Sequence, residues 1–274
     1  MKPQTARGVQ DIPPEEKIIQ NQLVDTLREI FELYGFAPLE TPLLERYETL
    51  ASKFAAGEDS DALKEIFKLK DQGKRKLGLR FDLTVPLARY VAMNPMLKMP
   101  FKRHELGNVF RDGPIKLGRA RQFWQCDIDI IGTKSMLAEA ELLAVVKAFF
   151  DRIKKKVVIK VNNRKLLIGI LEQAGVKTKV EEAIISIDKL DKIGVKGVSE
   201  ELTGKGFTKK QIKNIFELVK KDVSLPQLKK KITNEQALEG IKELQELFDY
   251  LRSMKIKVDF DVSLARGLAY YTGT

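Results

Sequence analysis

Apolar residues recur at helical spacing over residues 14–34, where Ile18, Ile19, Leu23, Leu27, Ile30 and Phe31 line one face and Gly35 supplies a stop. Pro38 and Pro42 forbid a helix over 35–44, so an edge strand or turn is expected there, followed by a second helix over 46–54. Alternation then takes over at 77–85, 101–111 and 121–131 and predicts three strands, and the Ala-, Leu- and Glu-rich stretch 133–150 predicts a helix. After a strand at 157–161 every periodic run from Lys165 to about Arg252 is helical, with turns at 204–206 and 224–226. Strand pattern returns at 256–262 and continues toward Tyr271. The expectation is an α+β fold in three segments: 1–164, a helical segment 165–252, and a return at 253–274.

Two of the strands carry chemistry on one face. In 121–131, Trp124, Cys126, Ile128 and Ile130 fall on one side, and Phe123, Gln125, Asp127, Asp129 and Ile131 on the other. Residues 78–85 repeat the arrangement, with Leu79, Phe81, Leu83 and Val85 opposite Arg80, Asp82 and Thr84. A sheet with helices over its apolar face would leave acids, amides and arginines on a polar floor. Spacing alone leaves open whether that floor meets a ligand or water. The loop 108–121 carries Arg111, Lys116, Arg119 and Arg121, cations suited to phosphate oxygens but equally to solvent or a nucleic-acid backbone.

Composition narrows the classes. With Cys126 the sole cysteine and His104 the sole histidine, neither an intrachain disulfide nor a Cys/His zinc site can form. His104, lacking a partner motif, is expected to be a packing or hydrogen-bonded surface residue. No run approaches the ~20 apolar residues of a membrane span, and the polar start does not resemble a signal peptide, so a cytoplasmic protein without membrane contact is expected. A net charge of +11 favours a polyanionic partner. Residues 177–232 hold 14 Lys against 8 Asp and Glu, so more than half of that excess sits in the helical segment.

At this point a family resemblance becomes specific. Residues 110–132, FRDGPIKLGRARQFWQCDIDIIG, resemble motif 2 of class II aminoacyl-tRNA synthetases in its histidine-specific form. LARGLAYYTGT at 264–274 is similar to the signature peptide of histidyl-tRNA synthetases. LRFDLTVPLARYVA at 79–92 resembles the family's amino-acid-binding segment, GFAPLETPLLE at 35–45 resembles motif 1 with Pro42 as its proline, and ARGVQDIPPEE resembles the amino-terminal entry. The helical segment matches the family's inserted domain in position and length only.

The resemblance implies an antiparallel sheet flanked by helices, with an all-helical insertion, and it implies histidine–tRNA ligase chemistry. Histidine would be held by Asp82 and Thr84 at its ammonium, Arg111 and Gln125 at its carboxylate, and Asp129 and Tyr271 at its imidazole. ATP, arriving with Mg²⁺, would meet Arg111, Arg119, Gln125 and Arg266, with Arg111 and Arg266 catalytic and Arg266 also close to histidine. No metal held by the protein and no bound organic cofactor is implied. The partners implied are histidine, ATP, tRNA(His) and a second copy of the chain in a homodimer. Ala269 stands where many members carry Asp, and Ala120 where Tyr is usual. The sequence stops before a recognisable motif 3 or anticodon-binding domain, so weak or no activity is expected of these residues alone. The competing reading is a catalytically silent paralogue serving as a regulatory subunit in histidine biosynthesis; such paralogues tend to lose site residues that are present here.

Overall fold

The computed structural model describes residues 2–52, 61–220 and 223–265. They form two compact units, Met1–Thr133 and Lys134–Thr274.

In the first unit, α1 (Pro14–Leu33) begins with a proline where the missing N–H costs nothing and carries Glu15 and Glu16 in its first turn, against the positive end of the helix dipole. It stops as expected: Tyr34 N donates to Ile30 O, Phe36 N donates to Phe31 O, and Gly35 takes φ +75°. There follow β1 (Ala37–Pro38), β2 (Leu44–Arg46), α2 (Tyr47–Ala51), α3 (Asp61–Lys64), β3 (Lys68–Lys70), β4 (Lys76–Leu79), α4 (Thr84–Met93), β5 (Phe101–Phe110) and β6 (Gln122–Ile131). The long antiparallel pair β5 and β6 runs in register from Phe101 opposite Ile131 to Phe110 opposite Gln122, and β1 joins β5 in parallel. A second sheet has the order β2-β4-β3, all antiparallel. Leu50, Ile66, Phe81 and Val85 form a buried cluster beneath it.

The strand expected at 77–85 is corrected. It ends at Leu79, and Thr84 and Val85 already belong to α4. Asp82 causes the change, because its Oδ1 accepts the N–H of Val85 at 3.0 Å, as an N-terminal acid does when it satisfies an orphan helix donor. The alternating apolar residues Phe81, Leu83 and Val85 are buried all the same, and so are Arg80 and Asp82. On β6 neither face is fully covered, and Cys126 is exposed on the face expected to lie under helices. Among the described strands β6 is an edge, next to β5 alone. His104 is not at the surface: it is buried, Nδ1 lies 3.1 Å from Phe36 O, and its ring stands 5.2 Å from that of Phe31.

The second unit holds α5 (Met136–Arg152), β7 (Lys160–Val161), α6 (Arg164–Gln173), α7 (Val180–Ile187), α8 (Leu190–Gly204), α9 (Lys209–Leu218), α10 (Leu225–Lys229), α11 (Glu235–Ser253) and β8 (Asp259–Phe260). The strands expected at 157–161 and 256–262 shrink to the two-residue parallel pair β7 and β8. One buried core, from Leu166 to Leu244, runs through α6 to α11 and takes in Val262 and Ala265. Helix starts are capped as their sequences allow: Asn163 Oδ1 accepts from Leu166 N, Asn234 Oδ1 from Ala237 N, and Thr208 forms a reciprocal box with Gln211. Within this unit α5 packs along α11, joining Ala140 to Leu247 and Leu251.

Candidate active site

The site grows from the β5 and β6 pair. Arg103 and Asp129 are register partners on adjacent strands, as are Glu105 and Asp127 and Gly107 and Gln125. Arg103 is wholly buried, with Nη2 2.7 Å from Asp129 Oδ2 and 3.2 Å from the Leu83 carbonyl, and Nη1 3.4 Å from Glu105 Oε2. Glu105 is buried too: its Oε1 accepts from Arg80 Nη1 at 2.7 Å, Thr41 Oγ1 at 2.7 Å and Thr41 N at 2.8 Å. Arg80 Nη1 also donates to the Thr41 carbonyl at 2.7 Å, and Arg80 Nε donates to Asn108 O at 2.9 Å. Gly107 makes room for this guanidinium, since a Cβ there would lie 2.2 Å from Arg80 Nη2. A buried chain of alternating charge thus runs from Thr41, beside Pro42, to Asp129.

Three acids share the neighbourhood. Burial pushes the Asp127 carboxyl up to about 6, with Arg103 opposing and Asp129 and Asp82 adding to the rise. Burial also raises Asp129, again opposed by Arg103 and reinforced by Glu105 and Asp82. Gln125 donates from Nε2 to Asp127 Oδ2 at 3.4 Å, while its Oε1 is buried without a partner. Asp82 thus lies near both the Asp127 and Asp129 carboxyls, and Gln125 contacts Asp127. Thr84 stands two residues beyond Asp82 as the first residue of α4.

The loop between β5 and β6 bounds an open cleft of about 870 Å³, lined among others by Gly8, Arg111, Lys116, Arg119 and Phe123. Arg111 is fixed at its root: Nε donates to the Phe81 carbonyl at 3.1 Å, and the guanidinium lies over the Phe123 ring, 5.0 Å from its centroid. Arg119 pairs with Glu65 at 2.5 Å and Arg121 with Asp112 at 3.2 Å, so these two loop cations already have acidic neighbours. Arg266 and Tyr271, and Ala269 with them, lie outside the described residues. Among the described residues no group of three or more His, Cys, Asp or Glu side chains is arranged to hold a metal ion, and no helix is long and apolar enough to cross a membrane.

Sequence reasoning missed Arg103, Glu105 and Asp127 as parts of this site. Asp127 stood on the named polar face; Arg103 and Glu105 alternate on β5 in phase with it, and their signal was the matching register, which a single strand does not display.

The sheet, the parallel β1 leading into it and the acids on its long hairpin define a class II aminoacyl-tRNA synthetase fold. The sequence profile described as Histidyl-tRNA synthetase matches residues 8–274. The histidine–tRNA ligase 1 of Bacillus cereus is 43% identical over all of this chain, and the histidine–tRNA ligase of Helicobacter pylori is 40% identical over 99% of it. The crystal structure of histidyl-tRNA synthetase from Nostoc sp. superimposes with a TM-score of 0.86 at 33% identity, covering all of this chain and 64% of that one. The chain belongs to the histidyl-tRNA synthetase family. It spans 65% of the length of the Bacillus relative and 63% of the Helicobacter one.

Proposed function

We propose that the protein carrying this chain activates histidine with ATP and transfers it to tRNA(His). The observation that supports this most is Asp129, paired with buried Arg103, near Asp82, and on the same strand as Gln125 and as Phe123, which lines a cleft with Arg111. Such a floor suits an amino acid with a polar ring: an acid on one ring nitrogen fixes the tautomer, and buried polar groups reject side chains that leave them unpaired. In this reading Asp82 and Thr84 receive the ammonium, Gln125 and Arg111 the carboxylate, and Asp129 with Tyr271 the imidazole.

The reaction needs no protein nucleophile. The histidine carboxylate attacks the α-phosphorus of ATP, and pyrophosphate leaves with the electron pair of the broken bond. The protein's part is to hold two anions in line and balance the charge that builds on the leaving group. Arg111, Arg119 and Arg266 are assigned to that task, with Mg²⁺ entering on ATP. Arg119 would exchange its pairing with Glu65 for phosphate. Phe123, beneath Arg111 in the same cleft, offers an apolar face to the nucleotide base.

The same reading takes 165–252 as an insertion whose lysines, including the exposed Lys209, Lys210 and Lys229 to Lys231, meet the tRNA backbone. It takes the protein as cytoplasmic and homodimeric. The test is transfer of radiolabelled histidine to a tRNA(His) transcript by the natural protein. Charging that is lost in Arg111→Ala supports the ligase. A folded protein that charges no tRNA, yet forms a stable complex with another protein, would favour the regulatory-subunit reading.

A further inference from the structure

Arg103 is the most completely buried charge in the first unit, and the proposed chemistry does not use it. Its position is unusual in three respects. It is the register partner of Asp129, so the two side chains leave neighbouring strands at the same level of the sheet. Its Nη2 donates to the carbonyl of Leu83 at 3.2 Å, the residue that follows Asp82 and precedes α4, and lies 2.7 Å from Asp129 Oδ2 as an ion pair in which that oxygen accepts no hydrogen bond. Its Nε is buried with no acceptor, so the guanidinium does not occupy the arrangement that would satisfy all its donors.

We propose that Arg103 is the positioning residue of the amino-acid pocket: it orients Asp129 and the Asp82 turn together, and through them sets selectivity for histidine. This rests on the reading of Asp129 as the imidazole partner. Asp129 is a half-buried carboxylate facing Glu105 from β5, Asp127 along its own strand and Asp82 from the turn before α4. Three acids around a fourth favour its protonation, and a protonated, freely turning carboxyl would lose its fixed acceptor. Arg80 already engages Glu105 Oε1, which leaves Arg103, among the described residues, as the cation placed to keep Asp129 ionised. The guanidinium sits against Oδ2 as an ion pair without a hydrogen bond, so Asp129 keeps its acceptor capacity for a ring N–H.

The guanidinium fork also matters, because one terminal nitrogen reaches both Asp129 and Leu83 while the other reaches Glu105. A lysine ammonium carries the charge but is a single point and cannot span those three groups. Arg103→Lys should therefore keep Asp129 ionised while loosening the Asp82 turn. Arg103→Met should lose both effects.

The experiment titrates the chain with L-histidine and, separately, with ATP by calorimetry, in the parent, Arg103→Lys, Arg103→Met, Asp129→Asn and the double variant Arg103→Met/Asp129→Asn. Expected is a weakening of histidine binding by about ten- to a hundredfold in Arg103→Met and less in Arg103→Lys, with ATP affinity unchanged within about twofold. The double variant should bind histidine worse than Asp129→Asn only by the loss seen in Arg103→Lys, because the part of Arg103's effect that passes through the carboxylate is already gone. Histidine binding by Arg103→Met should recover as pH is raised, when Asp129 ionises without help. If Arg103→Met does not fold, Arg103→Lys decides the matter by the histidine-against-ATP split. Equal losses for both ligands, an unchanged histidine affinity in a folded variant, or losses that multiply in the double variant would overturn the proposal. A parent that binds ATP but not histidine overturns the underlying reading of Asp129, and the inference with it.

Discussion

At the scale of single residues, neighbouring acids on one strand differ in their surroundings. In the proposed reading Asp129 receives the imidazole, so Asp129→Ala in the natural protein should raise the histidine KM by about ten- to a hundredfold and leave the ATP KM within about twofold, a buried polar partner being worth about 1–3 kcal/mol. Equal effects on both substrates would remove the assignment. Asp127 differs, because burial raises its carboxyl to about 6. Between its ordinary value and about 6 the folded protein holds a proton that the unfolded chain has released, so this contribution to stability is full in acid and is lost as pH rises through about 6. Asp127→Asn should therefore gain on the parent by up to about 2 kcal/mol from pH ~4 to pH ~7, measured by urea unfolding at each pH. A gap that stays constant with pH would show that Asp127 is not a strained buried acid. Much of this site was legible in the strand 121–131, where alternation placed Gln125, Asp127 and Asp129 on one face. Arg103 and Glu105 were not, since their importance comes from being opposite those residues, and register is a property of two strands.

Among the elements, close approach governs the helical core. A Cβ on Gly169 of α6 would lie 2.5 Å from Ala237 N at the start of α11, and one on Gly240 of α11 would lie 2.5 Å from Leu166 N at the start of α6. The two helices thus touch backbone to backbone through reciprocal glycines. Gly240→Ala should destabilise the unit by about 1–3 kcal/mol, as overpacking of a tight interface does. Gly204→Ala is its control: it lies at the end of α8 with nothing within 4 Å of its Cβ position, and it should be neutral or stabilising by up to about 1 kcal/mol. Chemical denaturation of both variants checks the contrast, and equal effects would contradict it. The helices themselves were readable from period and caps. The error came at 80–85, where period-2 alternation continued past the true strand end because Asp82 turns the chain into α4. A short alternating run looks the same whether its last apolar residues point from a strand or plug the first turn of a helix.

For the molecule as a whole, the exposed apolar side chains of the first unit point to self-association. Ile18, Ile19 and Leu33 on α1 and Leu43 and Leu44 in the motif 1 segment are all more than two-fifths exposed. Sedimentation should find a dimer, and Ile18→Asp with Ile19→Asp should shift it toward monomer; a clean monomer at high concentration would contradict motif 1 as an interface. Fold class was readable because the family's motifs are local, whereas the packing of α5 along α11 was not, because it links residues about a hundred positions apart. In the proposed function, the acids around Arg103 select histidine for activation by ATP. The most direct test of this is ATP–pyrophosphate exchange by the natural protein, run with each of the standard amino acids in turn. The account predicts exchange with L-histidine that exceeds every other amino acid by at least about a hundredfold and collapses in Asp129→Ala. Exchange supported equally by another amino acid, or histidine-dependent exchange that survives Asp129→Ala unchanged, would contradict it.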